Sequence, residues 1–220
     1  MQTASHSIKD NTESMTGATP ASAVQIGTIR DDLDNMVHFV NRIERDLRDA
    51  MQELGQAPAT PGDRPAMDTG IWKLGERLPY LYRGSVLQTV LGFFEHNLNV
   101  LCEALRNEYG VTERVTDLPG KGLRRSKLYM AKYIGIDFPA DTEYWACVLK
   151  YADIRNLIAH RDGLVKDDDP ELIRFIENNP NLSIDDTHRV QLHEGFLTEV
   201  IDNLHRFFQV LSERIAALRP

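Results

Sequence analysis

Apolar residues recur in alternating steps of four and three along three long stretches of this chain. In the first, Ile29, Leu33, Met36, Val40, Ile43, Leu47, Ala50 and Leu54 make an a/d seam. The seam predicts a helix from about Ala23 to Leu54, with Gly55 as its C′ residue. In the second, Leu87, Leu91, Phe94, Leu98, Leu101 and Leu105 predict a helix from about Leu81 to Tyr109, stopped by Gly110. Val86, Val90 and Phe93 widen its stripe and mark it as central. In the third, Leu197, Ile201, Leu204, Phe208, Leu211, Ile215 and Leu218 predict a last helix from about Glu194 to Leu218.

Shorter elements fill the intervals. Gln56 to Gly70 holds Pro58, Pro61 and Pro65 and reads as a loop. A short basic helix is expected over about Leu123 to Tyr133, and Gly135 to Pro139 then breaks the chain. The next helix starts at Asp141 or Thr142, either of which can cap it. It runs through Trp145, Val148, Leu149 and Ala152 to about His160 to Gly163. Asp169-Pro170-Glu171 opens a further short helix that ends before Pro180. Leu182, Ile184, Val190 and Leu192 alternate with polar residues around Asp185-Asp186, which leaves room for a small hairpin. The fold class expected is all-α: an up-and-down bundle of four to five main helices, one short extra helix and that hairpin.

Composition narrows the class. The chain has 220 residues, 42% hydrophobic and 26% charged, in the range of a soluble globular protein. No stretch reaches the roughly 20 apolar residues that span a bilayer. Met1 to Pro20 is rich in Ser, Thr, Asn and Ala and lacks the apolar core of a secretory signal. Residues 1–22 are therefore expected as a disordered tail, 23–220 as one helical domain, and the protein as cytoplasmic. Cys102 and Cys147 sit singly in apolar helical patterns, as reduced core thiols do. The net charge of −8 argues against a protein that coats nucleic acid generally. Its distribution is uneven. No acid lies between Asp117 and Asp137, a window that carries Lys121, Arg124, Arg125, Lys127 and Lys132 interleaved with Tyr129 and Tyr133. That is either a solvated helix face or a patch that attracts phosphate.

The chemistry concentrates in Asp153-Ile154-Arg155-Asn156-Leu157-Ile158-Ala159-His160-Arg161-Asp162-Gly163. Polar residues in the last turns of a buried helix cost free energy unless they are paired or used. Arginine offers a planar donor fork suited to phosphate, and histidine transfers protons near neutral pH. Asn156 and His160 are four apart and share a helix face. Arg155 and His160 are five apart, roughly 140° around an ideal helix. The two point the same way only if the helix loosens near His160, or a second subunit completes the site.

The pattern Arg155-Asn156-x-x-x-His160, late in an apolar helix of an all-α bundle, resembles the HEPN superfamily (higher eukaryotes and prokaryotes nucleotide-binding). The family signature is an Arg, four to six residues and a His, with a polar residue commonly after the Arg. The resemblance covers most of the chain, from about Ala23 to Leu218. It implies a metal-independent endoribonuclease of a toxin–antitoxin or antiviral system, acting on RNA as a homodimer with the two motifs at its interface. It further implies Arg155, Asn156 and His160 as catalytic residues, with no cofactor. Such families often add a polar residue on an earlier helix, and Glu95, one residue off the second seam, is the candidate. The basic residues Lys121, Arg124, Arg125, Lys127 and Lys132 are then the expected substrate-binding patch.

Other readings use the same residues. Arg155 can pair with Asp153 or Glu143 and tie its helix into the bundle. His160 can serve as a C-terminal cap. Glu95 can be an ordinary edge residue. His188 and His193 flank a hairpin strand without metal-ligand spacing and read as surface histidines, and His96 reads as solvent-facing. Phe93, Phe94, Phe207 and Phe208 read as core. A non-catalytic HEPN-like scaffold, which dimerises through exposed a/d seams or binds a ligand, is the alternative function.

Overall fold

The computed structural model describes residues 19–56, 69–70, 73–166 and 168–218. The expected tail up to residue 18 and the expected loop over 57–68 lie outside them. Helix α1 spans Ala21–Gln56 and α2 spans Leu78–Tyr109, entered through a π-helical turn at Lys73–Arg77. The basic helix α3 spans Gly122–Tyr129 and runs into a second π turn, Met130–Ile134, closed by left-handed Gly135. The motif helix α4 is Glu143–Arg161 and the short α5 is Pro170–Asn178. Strands β1 (Leu182–Ile184) and β2 (Val190–Leu192) pair antiparallel, and α6 (Phe196–Ala217) closes the fold. The fold is thus an all-α bundle with one small hairpin. None of its helices is long and apolar enough to cross a membrane, among the described residues.

The seams build the core. Helix α2 packs against α1, α3, α4, α6 and β2, as its wide stripe requires, with Leu87, Phe94, Leu98, Leu101 and Leu105 fully buried. Helix α6 buries Leu197, Ile201, Leu204, Phe208, Leu211 and Ile215 against α1 and α4. Phe94 meets Phe207 and Phe208 edge-on at 5.3 Å, and Trp145 at the start of α4 meets Phe207 at 5.6 Å. Phe93 is only half-buried against this core. The seam of α1 is consumed inside the bundle: Ile29, Leu33 and Val40 are buried. The expected self-association through exposed seams therefore does not apply to these residues. Past Val40 the fully buried position of α1 is Glu44, while the seam residues Ile43, Leu47 and Ala50 are half-buried. Gly55 lies within the last turn of α1 and not beyond it. At the other end the helix begins two residues before Ala23. Ser22 is buried and donates from its N–H and Oγ to Glu108 at 2.7 and 2.8 Å, so residues 21–22 belong to the bundle and not to a tail.

Helix α4 is buried along Trp145, Val148, Tyr151, Ile154 and Leu157. Steps of three fall short of the 3.6-residue turn, so the buried line winds around the helix as it runs. Of the two possible caps, Thr142 is the one used: its Oγ1 accepts the Trp145 N–H at 3.3 Å. The C-terminus is held more elaborately. Asp162 (φ 50°) and Gly163 (φ 77°) are both left-handed, and both N–H groups donate to the Leu157 carbonyl. The chain then joins the hairpin. Val190 N–H donates to Gly163 O at 3.0 Å, Val165 N–H donates to His188 O at 2.9 Å, and Arg189 lies 3.3 Å from the Asp162 carboxylate. A Cβ on Gly163 would sit 2.9 Å from Tyr80 Oη. Gly163→Ala is expected to cost at least about 1–2 kcal/mol from the left-handed backbone alone. Urea unfolding measures it, and an unchanged midpoint would contradict this account of the helix end.

The hairpin is self-bracing. Asp185 accepts the N–H groups of Thr187 and Arg189 at 2.8 and 2.9 Å and the side chains of Thr187 and Gln191. Burial alone would raise its carboxyl pKa, but these hydrogen bonds outweigh burial and hold it below the ordinary carboxylate value.

Candidate active site

Helix α4 stays regular through Arg161, so nothing loosens near His160. The five-residue offset of Arg155 and His160 therefore persists, and within one chain the motif divides. Asn156 and His160 are both exposed and line one cleft of about 430 Å³ between α4 and the start of α5, floored by Leu157 and Leu172. Asp153, Arg161 and Asp169 complete its rim. Burial pushes the Asp153 carboxyl above its ordinary pKa; Lys150 and Arg124 pull it down and Asp169 pushes it up. His160 and Arg161 occupy the last turn, where the helix dipole favours positive charge.

Arg155 does not line this cleft. It is half-buried, and its Nε is fully buried with no hydrogen-bond partner among the described residues. The ion pair with Asp153 or Glu143 that would make it a purely structural residue is not formed. An unsatisfied buried donor costs about 1–3 kcal/mol. A partner that reaches this side of α4 would recover that.

Glu95 is half-buried at the edge of α2, as its place off the seam suggests, but it meets a different element. Its carboxylate abuts the start of α3, where a Cβ on Gly122 would lie 3.3 Å from Oε1. An acid beside a helix N-terminus is favourable in itself. No hydrogen bond or ion pair joins Glu95 to Arg155, Asn156 or His160 among the described residues. In the basic window Lys121, Arg124 and Lys132 are exposed, while Arg125 and Lys127 are half-buried. Arg125 also has a buried Nε without a partner among the described residues. Arg124 acts electrostatically on the motif helix, through Asp153. Tyr129 is buried, donates its hydroxyl to Glu113 O at 2.7 Å and stacks on Tyr133. The window is thus half surface and half core.

Cys102 and Cys147 are free, the first fully buried with its thiol pushed up to about 12 by burial, the second half-buried. His96, His188 and His193 are exposed, and His193 Nε2 lies 2.8 Å from Ser183 Oγ. No group of three or more metal-ligating side chains is present among the described residues.

Two polar assemblies have no counterpart in the sequence reading. Glu44 and Arg83 form a bidentate ion pair beneath α1, at 2.8 and 2.6 Å. Glu199 on α6 accepts Tyr151 Oη at 3.0 Å, Asn179 Nδ2 at 2.6 Å and Asn181 Nδ2 at 2.9 Å, which fixes the end of α5 against α4 and α6. The only trace of the second is the Asn-rich run Asn178-Asn179-Pro180-Asn181, which reads as a turn. Compared with known proteins, the chain matches no family model, no curated protein and no solved structure.

Proposed function

We propose that this chain is a HEPN-type endoribonuclease that cleaves RNA by attack of a ribose 2′-OH on the adjacent phosphorus. The observation that carries the reading is the pairing of exposed Asn156 and His160 in one cleft at the capped end of a buried helix. His160 takes the 2′-OH proton as general base. The O2′–P bond forms, the P–O5′ bond breaks, and O5′ leaves with a proton from water, while the protonated His160 returns its own to the solvent. Asn156, on the same face, orients the imidazole. Arg155 of the second copy stabilises the phosphoryl oxygens by charge-assisted hydrogen bonds. The nucleophile belongs to the substrate, so the scheme calls for no metal-bound water and no cofactor. Glu95 is kept as a positioning residue for the basic helix α3, whose exposed Lys121, Arg124 and Lys132 meet the RNA backbone. The setting proposed is a cytoplasmic homodimer in a defence or toxin–antitoxin system, controlled by a protein partner.

The test is incubation of the purified protein with mixed RNAs in the presence of a chelator, with mapping of the new ends. Products with a 2′,3′-cyclic phosphate and a 5′-hydroxyl are expected. Ends that form only with added metal, or that form equally with His160→Ala protein, would defeat the proposal.

One observation favours the scaffold reading. Asp153 and Asp169 put carboxylates on the rim of the His160 cleft, where they oppose a phosphate backbone. The two readings part on Asp153→Asn. If RNA runs through the cleft, removal of this charge should tighten RNA binding several-fold at low salt. A scaffold that meets no RNA there shows no change.

A further inference from the structure

The groove between α4 and α5 does not end at His160. Helix α5 folds back along α4, so Leu172 sits beside Leu157 and His160, while Phe175 reaches Tyr151 at 5.9 Å. Beyond Tyr151 the groove opens into a second hollow of about 530 Å³, in the size range of small-ligand sites. Its wall is mainly apolar, with Phe175, Pro180 and Ala146. Lys150 and Arg174 stand at its rim. Arg174 is exposed and has no ion-pair or hydrogen-bond partner among the described residues. Among the described residues Lys150 makes one ion pair, with Glu171 at 3.4 Å, a carboxylate 80% exposed, so releasing it costs little. Asn178 adds an exposed amide able to read a base edge.

The two hollows share no lining residue but follow one another along α4 and α5. Lys150 is one helical turn from Asp153, and Glu171 adjoins Leu172. His160 and Lys150 are ten residues apart, about 15 Å along the axis, which a single strand spans in a few nucleotides. The neighbouring hollow of about 700 Å³, against α6, is the larger, but there Glu143, Glu199 and Asp202 outnumber Arg206, whereas in the Phe175 hollow Glu171 and Glu199 are balanced by Lys150 and Arg174.

We propose that the Phe175 hollow is a substrate subsite for single-stranded RNA. An unpaired base a few nucleotides from the cut enters it against Phe175 and Pro180, and Lys150 and Arg174 hold the flanking phosphates. This rests on the nuclease reading for the meaning of "cut", but not for the binding itself. Aromatic faces accept any base, and a guanidinium holds a phosphate oxygen pair. The subsite therefore selects unpaired strand over duplex more than one sequence over another.

The experiment measures fluorescence anisotropy of a labelled single-stranded RNA of about 12 nucleotides across a salt series. It compares the full chain, the double variant Lys150→Ala with Arg174→Ala, and Phe175→Leu, with cleavage by the wild type followed in parallel. Circular dichroism checks the fold. The double variant should bind on the order of tenfold more weakly. Its slope of log affinity against log salt should be smaller by about 1.4, as two lost phosphate contacts require. Phe175→Leu should weaken binding with the slope unchanged. Variants that bind as the wild type does would overturn the subsite, even if the wild type cuts RNA. A wild type that binds no RNA overturns subsite and nuclease together. Binding that depends on these residues without any cleavage upholds the subsite and removes the nuclease.

Discussion

Alanine in place of Glu44 or Arg83 should lower the unfolding free energy by about 3–5 kcal/mol, the cost of leaving one buried charge without its partner. Both side chains are nearly out of solvent, 6% and 13% exposed. Arg83 donates Nε to Glu44 Oε1 and Nη2 to Oε2, and its Nη1 donates to Leu192 O at 2.9 Å. One guanidinium thus links α1, α2 and the hairpin. Each kcal/mol corresponds to roughly 2–4 °C in melting temperature for a chain of this size, so the effect is large in a thermal scan. A well-packed apolar replacement of both partners is often nearly neutral. Glu44→Met with Arg83→Met should therefore recover more than half of the single-variant loss. The Leu192 carbonyl, which keeps no donor, limits the rest. A spectroscopic mark accompanies the change. The Tyr82 hydroxyl is pushed up to about 12, first by burial and then by the Glu44 charge. Glu44→Gln should lower its titration midpoint in ultraviolet absorbance. Single variants that cost less than about 1 kcal/mol would show that this pair is not buried as described.

The long helices and their caps were legible because they are written locally. Seam spacing, Gly110, Thr142 and Asp169-Pro170 each act within a few residues of where they stand. The hairpin was legible for the same reason. The Glu44–Arg83 pair was not. Its partners are 39 residues apart, and Glu44 lies off the apolar seam of α1. The π turns at both ends of the α2–α3 region were equally hidden, since they answer to packing and not to propensity. At the site, the five-residue offset of Arg155 and His160 could be read as an angle, and Asn156 beside His160 could be read as a shared face. What the sequence could not show was that Asp153 and Asp169 from two helices would crowd the same cleft. Nor could it show that Glu95 would turn to Gly122, or that α5 would lie back along α4 and extend the groove to Phe175. Each depends on how one helix is placed against another, which no single stretch encodes.

If RNA is cut at this motif, the regularity of α4 makes a sharp demand on how. Arg155 and His160 remain roughly 140° apart around the helix, and Arg155 keeps a buried Nε without a partner among the described residues. A site that uses both must take them from different copies. Arg155→Ala and His160→Ala should each lower cleavage by about 10²–10⁴-fold, the range for loss of a charge-stabilising donor or a general base. In a two-fold dimer each site then joins the His160 of one copy to the Arg155 of the other. Unfolding the two inactive variants together and refolding them as a mixture gives dimers of which about half are mixed. Every mixed dimer holds one intact site and one doubly broken site. The mixture should therefore regain about a quarter of the wild-type rate, from two preparations that separately have almost none. Mixed dimers, verified by differently tagged chains, that stay inactive would place the whole reaction within one copy. The helix would then have to unwind at His160 when RNA binds, and the rate should rise on weakening the Leu157 carbonyl clamp at Asp162 and Gly163. If the quarter returns, Arg155 and His160 act across the interface, and the unpaired Nε of Arg155 has its partner in the second copy's cleft.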